Sequence, residues 1–84
     1  MELRHLRCFL AVAEVLHFAR AAEKLHMEQS PLSRAIKELE EDLGVQLFIR
    51  TSRSTRLTLA GRLLMESAPR VFKALEQARE SVKA

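Results

Sequence analysis

The stretch Phe18-Ala19-Arg20-Ala21-Ala22-Glu23-Lys24-Leu25-His26-Met27-Glu28-Gln29-Ser30-Pro31-Leu32-Ser33-Arg34-Ala35-Ile36-Lys37 decides the fold. Phe18, Ala21, Ala22 and Leu25 share one face at helical spacing, which predicts a short helix over 18–25. His17 is a poor N-cap residue, so the start of that helix is not marked. His26-Met27-Glu28-Gln29 carries no periodicity. A further helix follows, with Leu32, Ile36, Leu39 and Leu43 as its apolar stripe. It has two possible starts. Ser30 can act as N-cap with Pro31 at the first helical position, or the helix can begin a turn earlier with Pro31 inside its first turn. Gly44 is the expected stop, because glycine enters the left-handed conformation that ends many helices without a Cβ clash.

Upstream, Leu3, Leu6, Phe9, Leu10 and Ala13 recur at helical spacing and predict an amphipathic helix from 2 to about 16, with Glu2 at its positive end. Downstream the period changes. Val45, Leu47 and Ile49 alternate with Gln46 and Arg50, though Phe48 interrupts the alternation. Leu57 and Leu59 alternate with Arg56 and Thr58. The polar run Thr51-Ser52-Arg53-Ser54-Thr55 lies between them, so a short antiparallel hairpin with an exposed tip is expected over about 45–58. Thr58 fits the N-cap of a last, long helix. There Leu64, Ala68, Val71, Leu75, Ala78 and Val82 step by 4, 3, 4, 3 and 4, a heptad seam. At about 1.5 Å per residue this helix runs about 37 Å and outreaches a small domain. A second chain is the natural cover for it, while the part near Leu63 and Leu64 is expected to pack on the first helix. Pro69 removes one backbone bond, and because the seam stays in phase across it, a kink is expected rather than a stop.

The predicted architecture is mainly α: a winged helix-turn-helix of three helices and a two-stranded β wing over 1–58, with the helix-turn-helix at about 18–37, followed by a linker or dimerisation helix over 59–84. Two short helices joined by a tight turn are a DNA-binding arrangement in which the second enters the major groove. The residue types agree. The third helix turns Gln29, Ser33, Arg34 and Lys37 outward near its start: arginine suits guanine, glutamine adenine, serine either, and Lys37 reads as a phosphate contact or none. Glu38, Glu40, Glu41 and Asp42 gather at its far end, away from the basic start. Arg34 alone would pass as a solvated charge and Ser33 as an ordinary early-helix residue; their company favours DNA. Arg50, Arg53, Arg56 and Arg62 follow with no acid among them, which on a hairpin suits phosphates or an arginine in the minor groove. Arg50 and Arg56 can equally be charges that protect a sheet edge, which leaves Arg53 the foremost wing contact.

Composition limits the alternatives. A chain of 84 residues buries only about 60% of its unfolded surface, so a buried multi-residue active site is not expected. The hydrophobic share, 48%, is too high for a disordered chain. The longest apolar run, 8–13, is far short of a membrane span, and no basic segment precedes it, so neither a membrane anchor nor a signal peptide is expected. One cysteine excludes an internal disulfide and points to a reducing cytosol; Cys8 reads as a small core residue. The three histidines have no paired ligand spacing, and no catalytic dyad or Gly-rich loop is present. No enzyme activity, metal or cofactor is therefore expected. The net charge of +3, with ten arginines among fourteen cations, allows an acidic partner. A protein-interaction module of the same fold would show an apolar third-helix face, against which Gln29, Ser33, Arg34 and Lys37 argue.

Five stretches carry a resemblance: Leu3-Arg4-His5-Leu6-Arg7-Cys8-Phe9, Phe18-Ala19-Arg20-Ala21-Ala22-Glu23-Lys24-Leu25, Gln29-Ser30-Pro31-Leu32-Ser33-Arg34-Ala35-Ile36, Leu39-Glu40-Glu41-Asp42-Leu43-Gly44-Val45-Gln46-Leu47-Phe48 and Leu57-Thr58-Leu59-Ala60-Gly61. In this order and spacing the chain resembles the N-terminal region of LysR-type transcriptional regulators. The resemblance implies a winged helix-turn-helix whose linker helix pairs antiparallel with that of a dimer mate. The dimer would place two third helices in successive major grooves of an interrupted palindrome. It also implies a longer regulator that forms a tetramer, bends promoter DNA, carries a C-terminal domain for a small-molecule inducer, and works in the cytoplasm at the nucleoid. Carried over by position, the base and backbone contacts fall on Gln29, Ser30, Pro31, Ser33 and Arg34, and the wing contact on Arg53. This sequence departs from the family pattern at Glu28, where a small residue is common, at Ser30, where proline is common, and at Pro69 in the linker helix.

Overall fold

The structure is a computed structural model that describes residues 1–83. Its elements are α1 (Leu3–Val15), α2 (Phe18–Lys24), α3 (Gln29–Leu43), β1 (Phe48–Arg50), β2 (Thr55–Leu57) and α4 (Leu59–Lys83). The strands form one antiparallel pair with Phe48 opposite Leu57, Ile49 opposite Arg56 and Arg50 opposite Thr55.

Caps account for the boundaries. Leu16 ends α1 in the left-handed region at φ 52°. His17 does cap α2, contrary to its weak propensity: its Nδ1 accepts a hydrogen bond from the Arg20 N–H at 3.2 Å. The α2–α3 turn closes through His26 at φ 56°. The Met27 N–H then donates back to the Ala22 carbonyl at 3.0 Å, the six-residue closure that commonly ends a helix. The earlier of the two possible starts of α3 is the real one. Glu28 occupies the N-cap without a side-chain bond, so Ser30 is not the cap, and Pro31 lies in the first turn. Its missing N–H costs nothing there, because the first-turn N–H groups have no partner inside the helix. Gly44 stops α3 at φ 73°, as its position predicts.

The wing is shorter than the alternating pattern indicates. The strands themselves cover only Phe48–Arg50 and Thr55–Leu57; the Leu47 carbonyl still accepts from the Thr58 N–H at 3.0 Å, but Glu40 of α3 reaches across and takes the N–H side of this segment. Its Oε2 accepts from the N–H groups of Leu47 at 2.7 Å and Phe48 at 3.3 Å. The tip is closed from within: the Thr51 N–H donates to the Ser54 carbonyl at 2.8 Å, and Thr51 Oγ1 accepts from the Ser54 N–H at 3.0 Å. Thr58 then caps α4, accepting from the Gly61 N–H at 3.0 Å while its hydroxyl donates to the Gln46 carbonyl at 2.6 Å.

Phe9, Val12, Leu32, Leu39 and Leu47 are the largest fully buried side chains, so all of α1, α3 and the lead into the wing meet in one core. Phe48 joins it between Phe9 (ring centroids 5.4 Å apart) and Phe18 (5.8 Å, edge to face). α4 packs on α1 and β2. Gly61 makes that contact possible. A Cβ at this position would lie 2.3 Å from the Leu47 carbonyl oxygen and 2.9 Å from a Leu57 methyl group. Gly61→Ala is therefore expected to destabilise the fold by about 1–3 kcal/mol despite the better helix propensity of alanine. Thermal unfolding should show this as a midpoint several degrees lower, and an unchanged or raised midpoint would contradict the close contact.

α4 runs unbroken through Pro69, so proline does not end it. Along the seam, Leu64 is half-buried and Ala68 fully buried within the chain. Arg7 of α1 lies over the Phe72 ring, 4.9 Å from its centroid. After Ala68 the seam emerges. Val71 and Leu75 are each 38% exposed, Ala78 is exposed and Val82 is 83% exposed. The chain covers the first seam positions by itself, and the exposed seam positions start at Val71; Leu63, expected to pack on α1, is instead 55% exposed because it lies off the line of Leu64 and Ala68.

Candidate nucleic-acid interface

α3 positions the site by its period. Leu32, Ala35, Ile36 and Leu39 face the core, which leaves Gln29, Ser30, Pro31, Arg34 and Lys37 exposed and Ser33 half-buried at the edge. The wing stands beside this face. Arg50 joins the two: its Nη1 donates to Ser33 Oγ at 3.3 Å, and its guanidinium carbon lies 3.7 Å from the centroid of the Phe18 ring. Two shallow grooves flank this bridge. One is lined by His17, Gln29, Arg50 and Arg53, together with the other residues of the wing tip. The other follows α3 past Ser33, Lys37, Glu40 and Gln46.

The predicted residues thus divide. Gln29, Arg50 and Arg53 share one groove, and Ser33, Lys37 and Arg50 share the adjoining one. Pro31 and Arg34 lie on the other flank of α3 and line a groove toward Arg4 and Arg7 of α1. Ser30 is exposed at the start of α3. Arg56 is exposed on β2 and lines none of these grooves.

Three of the four acids at the end of α3 face other parts of the chain. Glu40 binds the wing, Asp42 holds the Met1 ammonium at 2.6 Å, and Glu38 lies 3.7 Å from the ring of buried His5. The Met1 ammonium keeps the Asp42 carboxyl below its ordinary range. Burial pushes the Cys8 thiol up, away from the reactive thiolate, which suits a packing residue.

Three residues of this arrangement escape a reading by type and spacing: Phe18 as the platform for Arg50, Glu40 as the anchor of the wing, and Thr51 as the closure of its tip. Only Glu40 has a signal in the sequence. A carboxylate four residues before a helix stop is well placed for the free N–H groups that follow.

Glu28 is exposed and forms no ion pair among the described residues. Glu28→Ser is expected to stabilise α3 by about 0.5–1 kcal/mol, because serine caps a helix and this glutamate does not. If the start of α3 meets phosphates, the same change also tightens binding to every duplex several-fold at low salt. Thermal unfolding and anisotropy titration test the two effects separately.

A polar and basic helix held beside an arginine-bearing hairpin defines a winged helix-turn-helix domain. The family of bacterial regulatory helix-turn-helix proteins of the lysR type matches residues 3–62, and the chain belongs to that family. The chain is 63% identical over 71 residues to the transcriptional regulator XapR of Escherichia coli strain K12, covering 84% of this chain and 24% of that protein. It is 50% identical to the regulator ShiR of Corynebacterium glutamicum strain R over 84 residues, covering 100% of this chain and 28% of that protein. It spans about a quarter of the length of these curated relatives. Among solved structures, the CbnR DNA-binding domain in complex with DNA superposes with a TM-score of 0.96 at 40% identity, covering 99% of this chain and 95% of that one. The BenM DNA-binding domain on catB site 1 DNA gives 0.92 at 44% identity, covering 99% and 93%.

Proposed function

We propose that this chain is the DNA-binding part of a LysR-type transcriptional regulator and binds double-stranded DNA in a sequence-specific way, by recognition and not by catalysis. The observation that carries the reading is the division of α3: an apolar face locked in the core and a free face of Gln29, Ser30, Ser33, Arg34 and Lys37 flanked by the wing arginines. Gln29, Ser33 and Arg34 meet base edges in the major groove. Lys37, Ser30 and the start of α3 at Pro31 lie against phosphates. Arg53 reaches the adjacent backbone or minor groove from the wing tip, with Arg56 beside it on the hairpin.

Residues 1–58 form the DNA-binding unit and 59–84 the linker that pairs two copies. Val71, Leu75, Ala78 and Val82 supply the pairing surface, and Leu64 and Ala68 continue its line into the chain's own packing. The dimer sets two α3 helices on the half-sites of an interrupted palindrome. Full-length CbnR, of which this chain covers 29%, superposes on it with a TM-score of 0.96 in complex with its target DNA. By membership of the LysR family, the whole regulator would add a C-terminal effector domain, assemble as a tetramer and act in the bacterial cytoplasm. No helix among the described residues is long and apolar enough to cross a membrane.

Fluorescence anisotropy against a duplex selected from a random pool, and against its scramble, tests the reading across a salt series. Tighter binding to the selected duplex with a steep fall in affinity as salt rises is the expected result. Binding to no duplex at low salt would overturn it in favour of a protein partner.

A further inference from the structure

Arg50 is more than an edge charge. It sits one position before the wing tip, opposite Thr55, yet its guanidinium turns back over the Phe18 ring and donates to the Ser33 hydroxyl. The seat is rigid. Phe18 is 5% exposed and packs edge to face on Phe48, which Glu40 ties to α3. A guanidinium has no acceptor, so Ser33 Oγ must accept in this pair and its single hydrogen must point elsewhere. Helical serines commonly spend that hydrogen on their own backbone. Ser67 and Ser81 of α4 do so, donating to the carbonyls of Leu63 and Ala78. Among the described residues, Ser33 makes no such bond. Its hydrogen is left for whatever lies in the groove between α3 and the wing.

We propose that Arg50 is a positioning residue that makes Ser33 a hydrogen-bond donor toward DNA, so that the base facing Ser33 is selected for an acceptor: a purine N7, guanine O6 or thymine O4. This rests on the DNA-binding reading above. Serine alone is indifferent, since it can donate or accept. With Arg50 on one of the two lone pairs, a cytosine N4 amine has only the remaining lone pair, beside a cation that repels its positive hydrogens, whereas the free hydroxyl hydrogen suits an acceptor. Lysine could not replace Arg50, because an ammonium lacks the flat face that stacks on Phe18.

The test uses this chain, a duplex it selects from a random pool, and all single-base-pair variants of one half-site. Wild type is expected to reject cytosine at one position by about five- to tenfold, the low end of a good base contact. R50A and S33A should each abolish that ratio at the same position, and R50A/S33A should change it no further than S33A does. R50K should keep the salt slope, since the charge remains, but lose the ratio; it also carries the test if R50A does not fold. A uniform loss across all duplexes in R50A and R50K with the ratio intact would overturn the proposal and leave Arg50 a phosphate contact. An S33A chain that keeps the ratio would overturn it too. A wild-type chain that selects no duplex fails differently: it sinks the DNA-binding reading and this assignment with it.

Discussion

Arg34→Ala is expected to weaken binding to the selected duplex by about 1–3 kcal/mol and to relax the preference at one base position. Arg34 projects from the free flank of α3, exposed and without an ion pair among the described residues, so its removal leaves the fold intact. Alanine is also a better helix former, and stability should move by less than about 0.5 kcal/mol. The loss therefore belongs to the interface. An arginine that grips guanine through O6 and N7 loses more on the cognate sequence than on random DNA, whereas one that only neutralises phosphate loses the same on both. Parallel anisotropy titrations on the selected and scrambled duplexes decide between them. Equal losses would assign Arg34 to the backbone.

The other large effect concerns the second copy. Val71→Asp with Leu75→Asp is expected to weaken dimerisation by at least about 3 kcal/mol, more than about a hundredfold in Kd, because carboxylates without partners would be buried between two helices. The single chain should tolerate both changes. The two positions are each 38% exposed, and neither belongs to the buried core. Sedimentation equilibrium reads the result directly: a mass that falls to one chain is expected, and an unchanged mass would refute the seam. Duplex binding should fall with it, since one copy can hold only one half-site.

Helical elements and their faces were legible because burial imposes a period. Leu32, Ile36 and Leu39 on α3, and Phe9 on α1, lie where a 3.6-residue repeat must place them. The stop at Gly44 and the cap at Thr58 were legible for a similar reason, since backbone geometry restricts which residues serve there. Helix starts were less so. His17 caps α2 through a ring nitrogen, and Glu28 precedes α3 without capping it, because the chain path into each helix comes from the core and not from cap propensity. Alternation extends the wing over 45–58 while the strands cover Phe48–Arg50 and Thr55–Leu57, because alternation reports which side of a segment is buried and not whether its N–H groups meet another strand or a carboxylate from α3.

The candidate site follows the same division. That Gln29, Ser33 and Arg34 would share the free face of α3 follows from sequence spacing alone. That Arg34 looks toward α1 while Ser33 looks toward the wing required the crossing of α3 over its neighbours. The link from Arg50 to Ser33 joins residues 17 positions apart, and its platform, Phe18, lies on another helix. By itself, the sequence determined the elements, the basic face and the family, because local period and residue chemistry act over a few neighbouring positions. Only the tertiary structure decided which part of the α4 seam is already covered and which hydroxyl Arg50 holds, because those depend on how separately formed elements pack against one another.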